Sequence, residues 1–217
     1  MNRSKKIMLT PSKLTHILIG FMISGGILTI SAPVKAAKQN GWICFIIGAI
    51  YPIYIVLVCA YVSKKFPQDN ILSLSRKFFG KFFGSISNII FLSFFMFYVL
   101  NIISSFMFNV RIFIVPFLSS IVILTTTVLL CTYYCSKGLS IIAKINVIVF
   151  YTTLILFFVP APALTEGSYL NLLPIFDVGI KDILDGTLTT IGRYAGIEVI
   201  FLLYPYLNNK QKTTSSG

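Results

Sequence analysis

The chain has 217 residues, of which 56% are apolar and only 11% charged, and its mean hydropathy is +0.88. Soluble domains carry about 25% charged residues, so the composition excludes a water-soluble globule and a disordered chain alike. The formal net charge of +12 does not point to nucleic acid, because the basic residues lie between long apolar runs, as they do in the loops of a membrane protein.

A lipid-crossing helix needs about 20 mainly apolar residues, since only a helix satisfies its own backbone in hydrocarbon. After a basic N-terminus, residues 1–13, the first such stretch runs over residues 14–34 and the second over 42–62. Residues 66–84 are not a span. Ile71, Leu72, Leu74, Phe78, Phe79, Phe82 and Phe83 alternate there with Arg76, Lys77 and Lys81. This predicts a helix lying on the cytoplasmic face, its basic groups toward anionic headgroups; the alternative is a plain basic loop. Three further spans follow at 86–110, 117–135 and 139–159. Next comes a Pro-containing loop in which residues 170–174 are expected to form a short cap. The sixth span covers 187–207, and a polar tail, 208–217, ends the chain.

The loops set the orientation. Thirteen Lys and Arg fall in the N-terminus, the even-numbered connections and the tail, with Lys144 counted just inside the fifth span, against four (Lys35, Lys38, Arg111, Lys181) in the opposite loops. This bias places both termini in the cytoplasm. An alternative reading of the N-terminus is a signal peptide, with cleavage near Val34-Lys35-Ala36. It is disfavoured because the apolar run is longer than a usual signal core.

No catalytic constellation is present, so no enzyme is expected. His16 is the sole histidine, the acids are dispersed, and no phosphate-binding or dinucleotide fingerprint occurs. Cys44, Cys59, Cys131 and Cys135 lack the N and S neighbours of a metal site and read as free buried thiols. No cofactor is expected.

Two interrupted spans carry the functional signal. The first holds Ser24-Gly25-Gly26-Ile27 and the sixth Gly192-Arg193-Tyr194-Ala195-Gly196. Glycine lets the backbone leave helical geometry. Peptide groups freed at mid-bilayer are tolerated only against a cavity or a ligand. Half-helix N-termini favour an anionic group and C-termini a cation, so a zwitterion such as a free amino acid suits two breaks together. Close helix packing is the other use of Gly25-Gly26. Arg193 and Glu198 lie near the centre of the sixth span, where a charge costs roughly 2.5–3.5 kcal/mol and should face the bundle interior or water. Their alternative role is an ion pair, although a spacing of five is poor in a regular helix. Asn101, Ser104 and Ser105 are expected to bond between helices, and Pro52 to mark a kink.

The chain resembles the permease-like B subunit of GerA-type spore germinant receptors, in the amino acid–polyamine–organocation superfamily. The stretches that carry the resemblance are Gly25-Gly26-Ile27-Leu28, Ala36-Ala37-Lys38-Gln39-Asn40-Gly41-Trp42, Phe66-Pro67 through Gly80-Lys81-Phe82-Phe83-Gly84, Asn171-Leu172-Leu173-Pro174-Ile175, Gly196-Ile197-Glu198-Val199 and Leu203-Tyr204-Pro205. The resemblance implies an all-α polytopic membrane protein with a 5+5 inverted-repeat (LeuT-like) transporter fold, of which six spans represent the first repeat plus the first helix of the second. By matching position it implies that Gly25-Gly26 is the first-span break and Tyr194 through Glu198 the sixth-span region; with the breaks read above, the expected substrate site is Ser24, Gly25, Gly26 and Ile27 with Arg193, Tyr194, Ala195, Gly196 and Glu198. It also implies an A-type membrane subunit and a lipoprotein C subunit as partners, the lipid bilayer of the spore inner membrane as location, and a small germinant, such as an amino acid, as ligand. The alternatives are an amino acid secondary transporter and a non-functional truncated remnant of the receptor subunit, since family members have about ten spans.

Overall fold

The computed structural model describes residues 9–24, 31–159, 161–162, 167–168 and 177–207. Apart from a bridge between Leu9 and Leu207, the regular structure among them is helical. In chain order the helices are α1 (Pro11–Ser24), α2 (Ser31–Ala37), α3 (Gly41–Gly48), α4 (Ile50–Lys65), α5 (Ile71–Phe113), α6 (Ser120–Ser136), α7 (Leu139–Phe157) and α8 (Ile180–Arg193). A run of short helical turns, Ile197–Tyr206, follows α8.

Three helical stretches among the described residues are long and apolar enough to cross a membrane: Pro33–Lys65, Ile71–Phe113 and Leu139–Phe157. Ser120–Ser136 and Ile197–Tyr206 are apolar but shorter. The expected first span leaves the described residues after Ser24, and the expected sixth is not one helix but two pieces. Gly25, Gly26, Ile27 and the expected cap at 170–174 lie outside the described residues.

The chain divides into two compact units. The first contains residues 9–14, 66–145 and 201–207. Its main feature is α5, which starts at an N-cap: the Asn70 side chain accepts the Ser73 N–H at 2.9 Å, satisfying one of the donors that a helix start leaves open. A continuous helix of 43 residues would extend about 64 Å, twice the roughly 30 Å of hydrocarbon it must cross. Gly80 resolves this with φ 74° and ψ 179°, a backbone region that only glycine enters cheaply. The arm 71–79 therefore folds against the limb 81–113. A Cβ at Gly84 would stand 2.6 Å from the Arg76 Cα, and the Asn88 amide donates to the Leu72 carbonyl at 2.9 Å. The break thus falls at Gly80, and Lys81 to Gly84 continue into the limb. α6 packs on α5, with Arg111 Nη1 donating to Ser120 Oγ at 3.0 Å. The loop before α5 is held by the Tyr204 hydroxyl, which donates to the Asp69 carbonyl, and Leu9 N–H donates to the Tyr206 carbonyl at 2.7 Å.

The second unit contains the described parts of residues 15–65 and 146–200. α2 and α3 are joined by a short helical turn at Lys38–Asn40 and contact each other, and α8 packs on both. The face that α8 buries is small and polar: Gly186, Thr187 and Thr190. The two hydroxyls return to carbonyls of their own helix, Thr187 to Ile183 and Thr190 to Gly186, each at 2.8 Å, so neither demands a partner outside it. Small side chains let helices approach closely, and a Cβ at Gly186 would lie 2.6 Å from Cys44 Sγ. The outer face carries Ile180, Leu184 and Leu188, all exposed. Lys181, Asp182 and Asp185 are exposed with them, so α8 buries its small residues and presents a mixed apolar and charged face outward. Between α3 and α4 the helix pauses at Ala49, because Pro52 lacks the N–H that would bond the Gly48 carbonyl.

Some sequence expectations change here. Cys44 and Cys59 are buried thiols, but Cys131 and Cys135 are exposed; on an apolar α6 they are tolerated as small, weakly polar groups on the lipid side. Asn101, Ser104 and Ser105 are exposed on α5. His16 stands edge-on to Phe150, with ring centroids 4.9 Å apart.

Candidate functional site

The site is built where α8 ends. Its last helical residue is Arg193, and Tyr194 follows as C-cap in the αR region. Gly196 then takes φ 101°, left-handed, and the chain restarts as a tight turn at Ile197–Val199. An L side chain at such a φ costs roughly 1–2 kcal/mol, which explains a glycine at the reversal. Tyr194 to Val199 are buried except for the half-buried Ala195.

Glu198 is the charge in this break. It is 8% exposed. One carboxylate oxygen accepts the Gly196 N–H at 2.7 Å, so the side chain satisfies a backbone donor that the break sets free. The other accepts the Tyr51 hydroxyl from α4. A carboxylate has about four lone-pair sites, so two acceptor positions remain. The preceding α8 presents its C-terminal carbonyls at the same turn, and a helix C-terminus carries partial negative charge. Carboxylate, phenol and helix end together favour a cationic group such as an ammonium.

The other candidate residues are placed differently. Tyr194 is committed to packing: its hydroxyl donates to the Phe45 carbonyl of α3 at 3.1 Å, and its ring lies 3.4 Å from where a Gly48 Cβ would be. Arg193 is half-buried at the end of α8. It does not pair with Glu198; the salt bridge found among the described residues joins Lys77 and Asp69. Ser24 ends α1, and its neighbours Gly25, Gly26 and Ile27 lie outside the described residues. The structure therefore brings together Arg193, Tyr194, Ala195, Gly196 and Glu198 at one break.

Two features escape a reading of the sequence. Tyr51 lies 147 positions from Glu198 and looks, in an apolar run, like any membrane tyrosine. Its only signal is its place before Pro52, in the helix's first turn. The second feature is an apolar pocket of about 310 Å³ between Met22, Pro52, Ile53, Val56, Leu57 and Ile197. Its walls include the neighbours in sequence of both Tyr51 and Glu198.

Comparison with known proteins gives the context. Residues 8–217 match the family described as "Spore germination protein". The chain is 25% identical over 214 residues to spore germination protein YndE of Bacillus subtilis (strain 168), covering 96% of this chain and 58% of that protein. It is 24% identical over 173 residues to spore germination protein GerQB of Bacillus cereus, covering 80% of this chain and 48% of that protein. The chain thus spans about half the length of the curated relatives it matches. No solved structure matches it. With helices long and apolar enough to cross a bilayer and a family match over nearly its whole length, the chain belongs to the spore germination protein (spore permease) family of integral membrane proteins.

Proposed function

We propose that the chain is the permease-like membrane subunit of a spore germinant receptor, binding a small nutrient such as an amino acid at the α8 break. The observation that supports this most is the buried Glu198 carboxylate at the break, held by Gly196 N–H and the Tyr51 hydroxyl. It offers acceptor capacity to an ammonium group, and the neighbouring apolar pocket offers room for an aliphatic side chain. Membership of a permease family favours binding or transport over catalysis. In this reading the first-span residues Ser24, Gly25, Gly26 and Ile27 supply the second half of the site, toward the ligand's carboxylate. The six spans adopt the first repeat and one further helix of a LeuT-like fold in the spore inner membrane, with both termini cytoplasmic. Ligand binding shifts the population of two arrangements of the broken helices, and an A-type subunit and a lipoprotein C subunit read the shift.

The test is germination itself. Spores carrying Glu198→Gln should need at least tenfold more amino acid for a half-maximal response while the protein still inserts into the membrane. A wild-type response would remove Glu198 from the site. Uphill accumulation of labelled amino acid in vesicles would assign secondary transport instead.

A further inference from the structure

The elbow at the start of α5 has an exposed surface that nutrient binding does not use. Four phenylalanines, Phe78, Phe79, Phe82 and Phe83, are 63–72% exposed. Arg76, Lys77 and Lys81, between and beside them, are exposed as well. The turn at Gly80 is fixed from inside the elbow: Leu74, Gly84 and Asn88 are buried, and Asn88 holds the Leu72 carbonyl. The apolar residues that face outward are thus not needed for the elbow's own core. Aromatic rings interleaved with cations on one surface match the boundary between headgroups and acyl chains. Three cations that face outward match a lipid that carries net negative charge.

We propose that this elbow is a binding site for an anionic phospholipid. The cations engage the phosphate and the phenyl rings enter the acyl boundary. One detail tunes the site. Lys77 Nζ lies 3.4 Å from Asp69 Oδ2 and 5.4 Å from the centre of the Phe66 ring, so the Asp69 carboxylate competes with a lipid phosphate for Lys77. The loop that carries Asp69 is itself fixed by the Tyr204 hydroxyl through the Asp69 carbonyl. Exchange of the side chain's charge therefore leaves that anchor in place.

The full chain, purified in neutral detergent, is titrated with phosphatidylglycerol and with phosphatidylcholine, and bound lipid is counted by native mass spectrometry. Wild type should prefer phosphatidylglycerol, and rising salt should weaken the preference. Each cation near a lipid surface contributes about fivefold, so R76Q/K77Q/K81Q should reduce the preference at least tenfold. The charge-conserving R76K/K77R/K81R should keep it, and D69N, which frees Lys77, should strengthen it severalfold. Equal retention of both lipids by wild type, undiminished preference in the glutamine variant, or weaker phosphatidylglycerol binding by D69N would overturn the proposal.

Discussion

Glu198 is a buried acid in an apolar run, and its two oxygens are satisfied in different ways. One caps Gly196 from two residues away; the other depends on Tyr51 of another helix. A hydrogen bond to a charged group contributes about 1.5–3 kcal/mol. Tyr51→Phe should therefore lower thermal stability in detergent by that order, and a melting temperature equal to wild type would show that the phenol adds nothing. Glu198→Ala should cost more than Glu198→Gln, because alanine leaves the Gly196 N–H buried without an acceptor, at about 1–3 kcal/mol. Equal losses in the two variants would contradict the capping role. The carboxylate was legible in the sequence because an acid inside an apolar run stands out. Its tyrosine was not: nothing local marks Tyr51 among the chain's 11 tyrosines, and only the fold brings it to position 198.

At the scale of elements, glycines act in two ways that a sequence does not separate. Gly196 and Gly80 provide left-handed backbone, at φ 101° and 74°; Gly84 and Gly186 provide room, each with an atom 2.6 Å from where a Cβ would stand. Gly80→Ala meets no neighbour within 4 Å, so its cost is purely conformational, roughly 1–2 kcal/mol. It should show as a wider separation of spin labels placed at positions 73 and 87; an unchanged distance would mean that alanine keeps the turn. Gly186→Ala instead overpacks α8 against Cys44, at about 1–3 kcal/mol. Adding Cys44→Ala should recover part of the loss, since neighbouring substitutions are not additive; strictly additive losses would argue against the contact. The break after Arg193 was visible in the glycines around it. The sequence separates an interfacial helix at 66–84 from a span at 86–110; the structure sets the turn at Gly80, because the sequence shows two glycines four residues apart and not which one takes the positive φ.

For the whole molecule, composition and apolar run length were enough to read a helical membrane chain, and the family match agrees with that reading. Charge bias between loops gives an orientation that accessibility can test. In a background with Cys131 and Cys135 replaced by serine, Ser73→Cys should react with a reagent from the cytoplasmic side and Lys38→Cys from the opposite side; labelling of both from one side would contradict the orientation. Loop charge is legible without a fold, whereas the joining of Tyr51 to Glu198 depends on how separate helices pack. The account rests most on a small solute's ammonium meeting Glu198. The most direct measurement is equilibrium binding of a labelled amino acid to the full chain, alone and reconstituted with the proposed A-type and lipoprotein subunits, compared across wild type, Tyr51→Phe and Glu198→Gln. Affinity should fall at least tenfold in Glu198→Gln and by less in Tyr51→Phe, and the N-acetylated amino acid should fail to compete. Equal affinity in all three proteins, or full competition by the acetylated compound, would contradict the assignment.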